Sequence, residues 1–127
     1  MKKTKENFKK FTKEEKIELI DKTFRMLDVG IIALREGIYS IEKFEKYAEI
    51  PEEIADAIEK VMLNVYIVSG QFIKNLNNID LLIVTMLMEG GLSEREYNKY
   101  ADKICALMDE YDSFKSERSA TLQGLMA

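Results

Sequence analysis

The sequence predicts an all-α protein: a single-domain bundle of about five helices containing two related helix-turn-helix hairpins. Three observations carry that reading. Apolar residues recur at alternating spacings of three and four along most of the chain, which places one apolar stripe on each helix. Residues 36–49 (EGIYSIEKFEKYAE) and 89–102 (EGGLSEREYNKYAD) agree at six of fourteen positions at an offset of 53, a self-match that describes architecture before chemistry. The chain is 127 residues long, 46% apolar and 33% charged, with a single proline. A domain of that size and composition buries enough surface to fold without metal or disulfide.

The first helix is predicted from Lys13 to about Glu36, with Ile17, Ile20, Phe24, Leu27, Ile31 and Leu34 on one side. Thr12 can cap it, and Glu14 and Glu15 suit the positive end of its dipole. Gly30 inside the stripe is expected to admit a neighbouring helix. Gly37 is read as the end of this helix and Ser40 as the cap of a short second one over 41–49, with Tyr39 and Phe44 as a hydrophobic staple. Pro51 suits the first turn of a third helix, followed by Glu52, Glu53 and Asp56 at its N-terminus. From Val61 to Ile73 that helix is apolar nearly all round, as for a central helix packed on several sides. Asn75, Asn77 and Asn78 mark a break, with Asn78 capping a fourth helix over about Ile79 to Glu89. Gly90-Gly91, the staple pair Leu92 and Tyr97, and the box Ser93-x-x-Glu96 then define the second turn. A fifth helix runs from Glu94 to about Tyr111, with Tyr97, Tyr100, Ala101, Ile104, Met108 and Tyr111 facing inwards.

The expected organisation is a basic, flexible N-terminal arm at 1–12, a helical bundle at 13–112, and a polar tail at 113–127 ending in an apolar patch. Leu122, Leu125 and Met126 form that patch. The net charge of −4 is uneven: residues 1–16 carry seven lysines against three glutamates, and the rest carries twelve basic against twenty acidic side chains. An acidic body disfavours nucleic-acid binding, which needs clustered Lys and Arg. The longest strongly apolar run, Leu81 to Met88, is eight residues, far short of the roughly twenty of a membrane span. No apolar segment follows the lysine-rich start, so no secretion signal is expected. One cysteine and no membrane segment suit a cytoplasmic protein.

Absences prune the chemistry. Without histidine there is no Ser-His-Asp triad, Cys-His dyad or imidazole metal site. Cys105 lies between Ile104 and Ala106 and is expected to be a buried structural thiol, since Lys103 is the only cation beside it. Glu42, Glu45 and Glu49 share a helix face, and Glu52, Glu53, Asp56 and Glu59 follow. A di-metal bundle site needs inward carboxylates accompanied by histidine, so a solvated face is the better account of these acids. Asp109-Glu110-Tyr111-Asp112 lacks the glycine and closing glutamate of a calcium loop. Seven methionines, Met86 and Met88 among them, could line a groove for a partner helix, but more often methionine fills a core. No cofactor is expected.

Residues 33–42 (ALREGIYSIE) resemble a short stretch of the cytoplasmic part of flagellar stator proteins. The resemblance covers ten of 127 residues, and the membrane helices that define that family are absent. Turn and cap chemistry already accounts for its Glu-Gly…Ser pattern, so no membership follows.

The functional expectation is a non-enzymatic, acidic helical protein acting through protein–protein interaction. It would be an adaptor, regulator or inhibitor, of a kind that phages also encode, with a protein partner that has a basic surface. Its contact residues would be Glu42, Glu45, Glu49, Glu52 and Glu53 and the apolar end Leu122, Leu125 and Met126. The alternative is a structural homo-oligomer, a homodimer in its simplest form, whose all-round apolar helices finish their burial against another copy. An enzyme relying on carboxylates or a metal ranks last.

Overall fold

The computed structural model describes residues 11–43 and 51–126, with the side chains of Leu122, Leu125 and Met126 outside that description. Among the described residues the architecture is all-α, a bundle of three long helices: α1 (Lys13–Glu42), α2 (Glu52–Met88) and α3 (Glu94–Met126). The helices are fewer and longer than the five expected, and one stripe of buried residues explains each extension.

In α1 the buried residues are Ile20, Phe24, Leu27, Ile31, Leu34, Ile38 and Ile41, alternating by four and three without a slip. Ile38 and Ile41 lie beyond Gly37, where a turn was expected. A glycine inside a helix costs about 1 kcal/mol, whereas burying each isoleucine is worth roughly 1.5–3 kcal/mol. The helix therefore runs through. Ser40 caps nothing; its Oγ donates back to the Glu36 carbonyl at 2.9 Å, the usual way a serine is accommodated within a helix. Tyr39 is exposed, with Lys43 Nζ 4.9 Å from its ring centroid. Its expected staple partner Phe44, and most of the expected 41–49 helix, lie outside the described residues.

The asparagine break is likewise absent. Val65, Ser69, Phe72, Leu76, Ile79, Ile83 and Met86 alternate by four and three straight through it, all buried. Three asparagines cost about 2 kcal/mol in helix propensity, less than the burial of Leu76 and Ile79 restores. Pro51 falls one position earlier than expected, as the residue capping α2, and its carbonyl accepts from the N–H groups of Ile54 and Ala55. In α3 the stripe Ile104, Leu107, Tyr111, Phe114 continues past the expected end at Tyr111, and Phe114 is fully buried. Thr121, two helical turns further on, is buried too. A repeat of seven residues suits helices that wrap around one another.

The turn at Glu89–Ser93 forms as expected. Gly90 has φ +78°, which glycine reaches without a Cβ clash. Gly91 N–H donates to the Met86 carbonyl at 2.7 Å and Gly90 N–H to that of Leu87 at 3.1 Å, a Schellman closure. Ser93 Oγ accepts from Glu96 N–H and Glu96 Oε1 accepts from Ser93 N–H, each at 3.1 Å. Thr12 and Glu15 make the same reciprocal box at the start of α1. The two copies of the repeated phrase thus fold differently: over 36–42 the chain is helix, whereas 89–93 is a turn. No apolar residue stands one turn beyond Met86 in the phase of the stripe, so nothing draws α2 onward.

Pairs between helices give the topology. Gly30 faces Phe72 and Gly37 faces Val65, so α1 and α2 run antiparallel. Phe24 stacks on Tyr100 at 5.9 Å and Lys103 Nζ reaches Asp28 at 2.9 Å, so α1 and α3 run parallel. The bundle is up-down-up. The Asp28–Lys103 pair is close to half exposed on both sides, worth at most about 1 kcal/mol. Packing dominates. Hydrogen bonds from Ser93 hold the Glu96 carboxyl below the usual glutamate range, and burial pushes the Tyr100 phenol up, with the Asp21 and Glu96 carboxylates adding to it.

The expected close approach is tighter at Gly37 than at Gly30. A Cβ on Gly37 would lie 2.6 Å from Val65 Cγ2, against 3.5 Å from Phe72 Cδ2 at Gly30, and at Gly70 it would meet nothing within 4 Å. Gly37→Ala should therefore destabilise by about 1–3 kcal/mol through overpacking. Gly70→Ala, on the exposed side of α2, should stabilise by about 0.5–1 kcal/mol. Urea midpoints check both. Ser93→Ala keeps the backbone N–H, the larger cause, and removes only the hydroxyl's share, so the Glu96 carboxyl should move part of the way back towards its ordinary value, read by NMR titration. Because that group is depressed in the folded state, its stabilisation is present above the unfolded value and lost as pH falls through the folded one. The stability gap between Ser93→Ala and wild type should accordingly be widest near neutrality and shrink in acid.

Candidate interaction surface

Between Lys60 and Lys74, α2 runs for thirteen residues without a charge. Helical periodicity divides them. Val65, Ser69 and Phe72 point into the bundle and are buried, while Leu63, Tyr66, Ile67, Gly70 and Gln71 are exposed. Leu63 is 61% and Tyr66 74% exposed, which places large apolar groups side by side in water. The stretch was expected to be packed on several sides; with only two neighbouring helices, one side stays uncovered. Single apolar residues on a surface, such as Leu81, are ordinary, and Met26, Val29 and Ile32 of α1 are interspersed with the charged Arg25 and Asp28. A contiguous, charge-free stretch in a chain one-third charged is not ordinary.

Beside this face lies an open groove of about 590 Å³, lined by Tyr66, Ile67, Gly70, Ile73 and Lys74 of α2 and by Tyr111 and Arg118 of α3. Its floor is held by a buried polar contact, Ser69 Oγ with Tyr111 OH. The Tyr111 ring stacks on Phe72 with centroids 5.2 Å apart and tilts against Phe114 at 5.6 Å. Lys115 Nζ stands 5.5 Å from the Tyr111 centroid and the Arg118 guanidinium 5.6 Å from that of Phe114. Arg118 occupies a stripe position, four residues after Phe114 and three before Thr121, where an apolar side chain would close the seam. An arginine there keeps its stem on Phe114 and its charge at the groove.

Three of the residues expected to bind a partner are described: Glu42, Glu52 and Glu53. Glu42 is partly buried, and its Oε1 accepts from Thr121 Oγ1 at 3.0 Å, joining α1 to α3. Glu52 and Glu53 are exposed in the first turn of α2. Glu45 and Glu49, and the side chains of Leu122, Leu125 and Met126, lie outside the described residues. Cys105 is exposed rather than buried, because it falls one position past Ile104, off the stripe. Met108 is 49% exposed for the same reason, one past Leu107. Met86 is buried and Met88 exposed. Among the described residues no three carboxylates or thiols converge as metal ligands, and no helix is long and apolar enough to cross a membrane.

No protein-family model, curated protein or solved structure matches this chain.

The Ser69–Tyr111 contact yields a double-mutant cycle. Ser69→Ala or Tyr111→Phe alone should cost about 1–3 kcal/mol, because each strands a buried partner hydroxyl. The double variant should cost clearly less than the sum of the two. Denaturant unfolding of the four proteins checks it, and strict additivity would contradict a direct bond.

Proposed function

We propose that this protein works by binding another protein through its helical faces, as an adaptor, regulator or inhibitor, and not as an enzyme. The observation that carries this reading is the uncovered, charge-free side of α2 at Leu63, Tyr66 and Ile67. Leaving such side chains half to three-quarters exposed forgoes part of the roughly 1.5–3 kcal/mol that full burial of each is worth, and a partner recovers it. Aromatic residues of this kind are enriched at protein–protein interfaces. A second surface, the acidic first turn of α2 at Glu52 and Glu53, suits a partner with a basic surface. Phage-encoded inhibitors remain one kind of protein that this reading accommodates.

The same uncovered side also supports the alternative of a homo-oligomer, and mass in solution separates the two. Sedimentation at two concentrations should show a 14.7 kDa species under the main reading and twice that mass under the alternative. For the partner itself, cross-linking capture should be run with wild type, Leu63→Glu/Ile67→Glu and Glu52→Lys/Glu53→Lys. Loss of a captured protein by at least tenfold is expected for the α2 variant. Equal capture by all three chains would sink the proposal.

A further inference from the structure

We propose that the groove between α2 and α3 is the docking site for an acidic amphipathic helix of a partner protein; this rests on the interaction reading above and names the chemistry of the partner. The groove lining contains two cations, Lys74 and Arg118, and no carboxylate, in a chain whose net charge is −4. The sign of the groove is thus opposite to that of the molecule. Its apolar part is Tyr66, Ile67 and Ile73, residues that one helical face of a partner meets with anchors spaced i, i+3, i+4 and i+7. Gly70 supplies room for the approach, since an added Cβ there would find no atom within 4 Å.

Repulsion from the acidic body is the chief objection, and along α2 distance answers it. Asp80 is six residues from Lys74 and Glu59 seven from Tyr66, or about 9–10 Å along the helix. That separation reaches the screening length of ~8 Å at physiological salt. Asp112, the acid closest to Lys115, is paired with it at 3.5 Å. Within the groove itself the charges a docked carboxylate meets are those of Lys74 and Arg118; Glu110, Asp112 and Glu117 adjoin its α3 wall in sequence but are not part of its lining. Contacts of this type steer association and set orientation, while the apolar anchors supply most of the affinity.

The test uses the full chain and two labelled sixteen-residue helical peptides with the same leucine face, one flanked by glutamates and the other by lysines. Fluorescence anisotropy should show the acidic peptide binding at least tenfold more tightly than the basic one. Raising salt should weaken that binding. Lys74→Glu/Arg118→Glu should invert the preference, and Gly70→Glu should abolish binding of the acidic peptide, with circular dichroism confirming that both variants remain folded. Equal affinity for the two peptides, absence of saturable binding, or indifference to these variants would overturn the proposal. Self-association abolished by Ile67→Glu would also overturn it, by making a second copy the occupant. Partner capture lost in Leu63→Glu/Ile67→Glu without acidic-peptide binding would leave the interaction reading intact and remove only the helix class.

Discussion

Everything in this structure depends on an unbroken alternation of three and four between buried residues. It runs from Ile20 to Ile41 in α1, from Val65 to Met86 in α2, and from Ile104 to Phe114 in α3, with Thr121 in the same phase. Local signals that oppose it lose. Gly37, Ser40 and the asparagines at 75, 77 and 78 are ordinary markers of helix ends, yet each sits inside a helix. Each marker costs about 1 kcal/mol or less, and the stripe residues beyond it are worth more. Where the stripe has no further residue to bury, at Glu89, glycine chemistry decides the outcome and α2 stops.

The same constraint explains the surface. Three helices cover only part of one another, so a helix that is apolar nearly all round must show apolar residues to water. The α2 stretch from Val61 to Ile73 is such a helix. A bundle of five would have had helices to spare for covering it. A bundle of three does not, and Leu63, Tyr66 and Ile67 are left exposed. Polar residues enter the stripes where α2 and α3 meet: Ser69 is satisfied by Tyr111, and Arg118 carries its charge to the rim of the groove. The polar floor and the apolar face are consequences of one packing arrangement.

Much of the fold was legible in the sequence, and its errors share one cause. The turn at Gly90-Gly91 was readable because double glycine, the capping box and the end of the stripe all agree there. The turn at Gly37 was misread because its glycine and serine were weighed without following the stripe to Ile38 and Ile41. Gly37 is constrained by helix packing against Val65, not by a helix end. Cys105 and Met108 were placed inwards although each lies one position beyond a stripe residue. The groove was not legible: Tyr66 and Lys74 lie about two turns apart on α2, and Arg118 joins them in one lining only through the antiparallel pairing of α2 with α3.

By itself, then, the sequence determined an all-helical chain, its caps at Thr12 and Ser93, the glycine turn between α2 and α3, and the residues able to form a core. Those properties are local or periodic, and neighbours within about two turns specify them. Tertiary structure decided how many helices there are, which glycine is tightly packed, and which side of α2 faces water. It also decided that Ser69 meets Tyr111 and that two cations share a groove. Such outcomes depend on which stripes face each other and how many neighbours each helix has, quantities that no single segment of the chain contains.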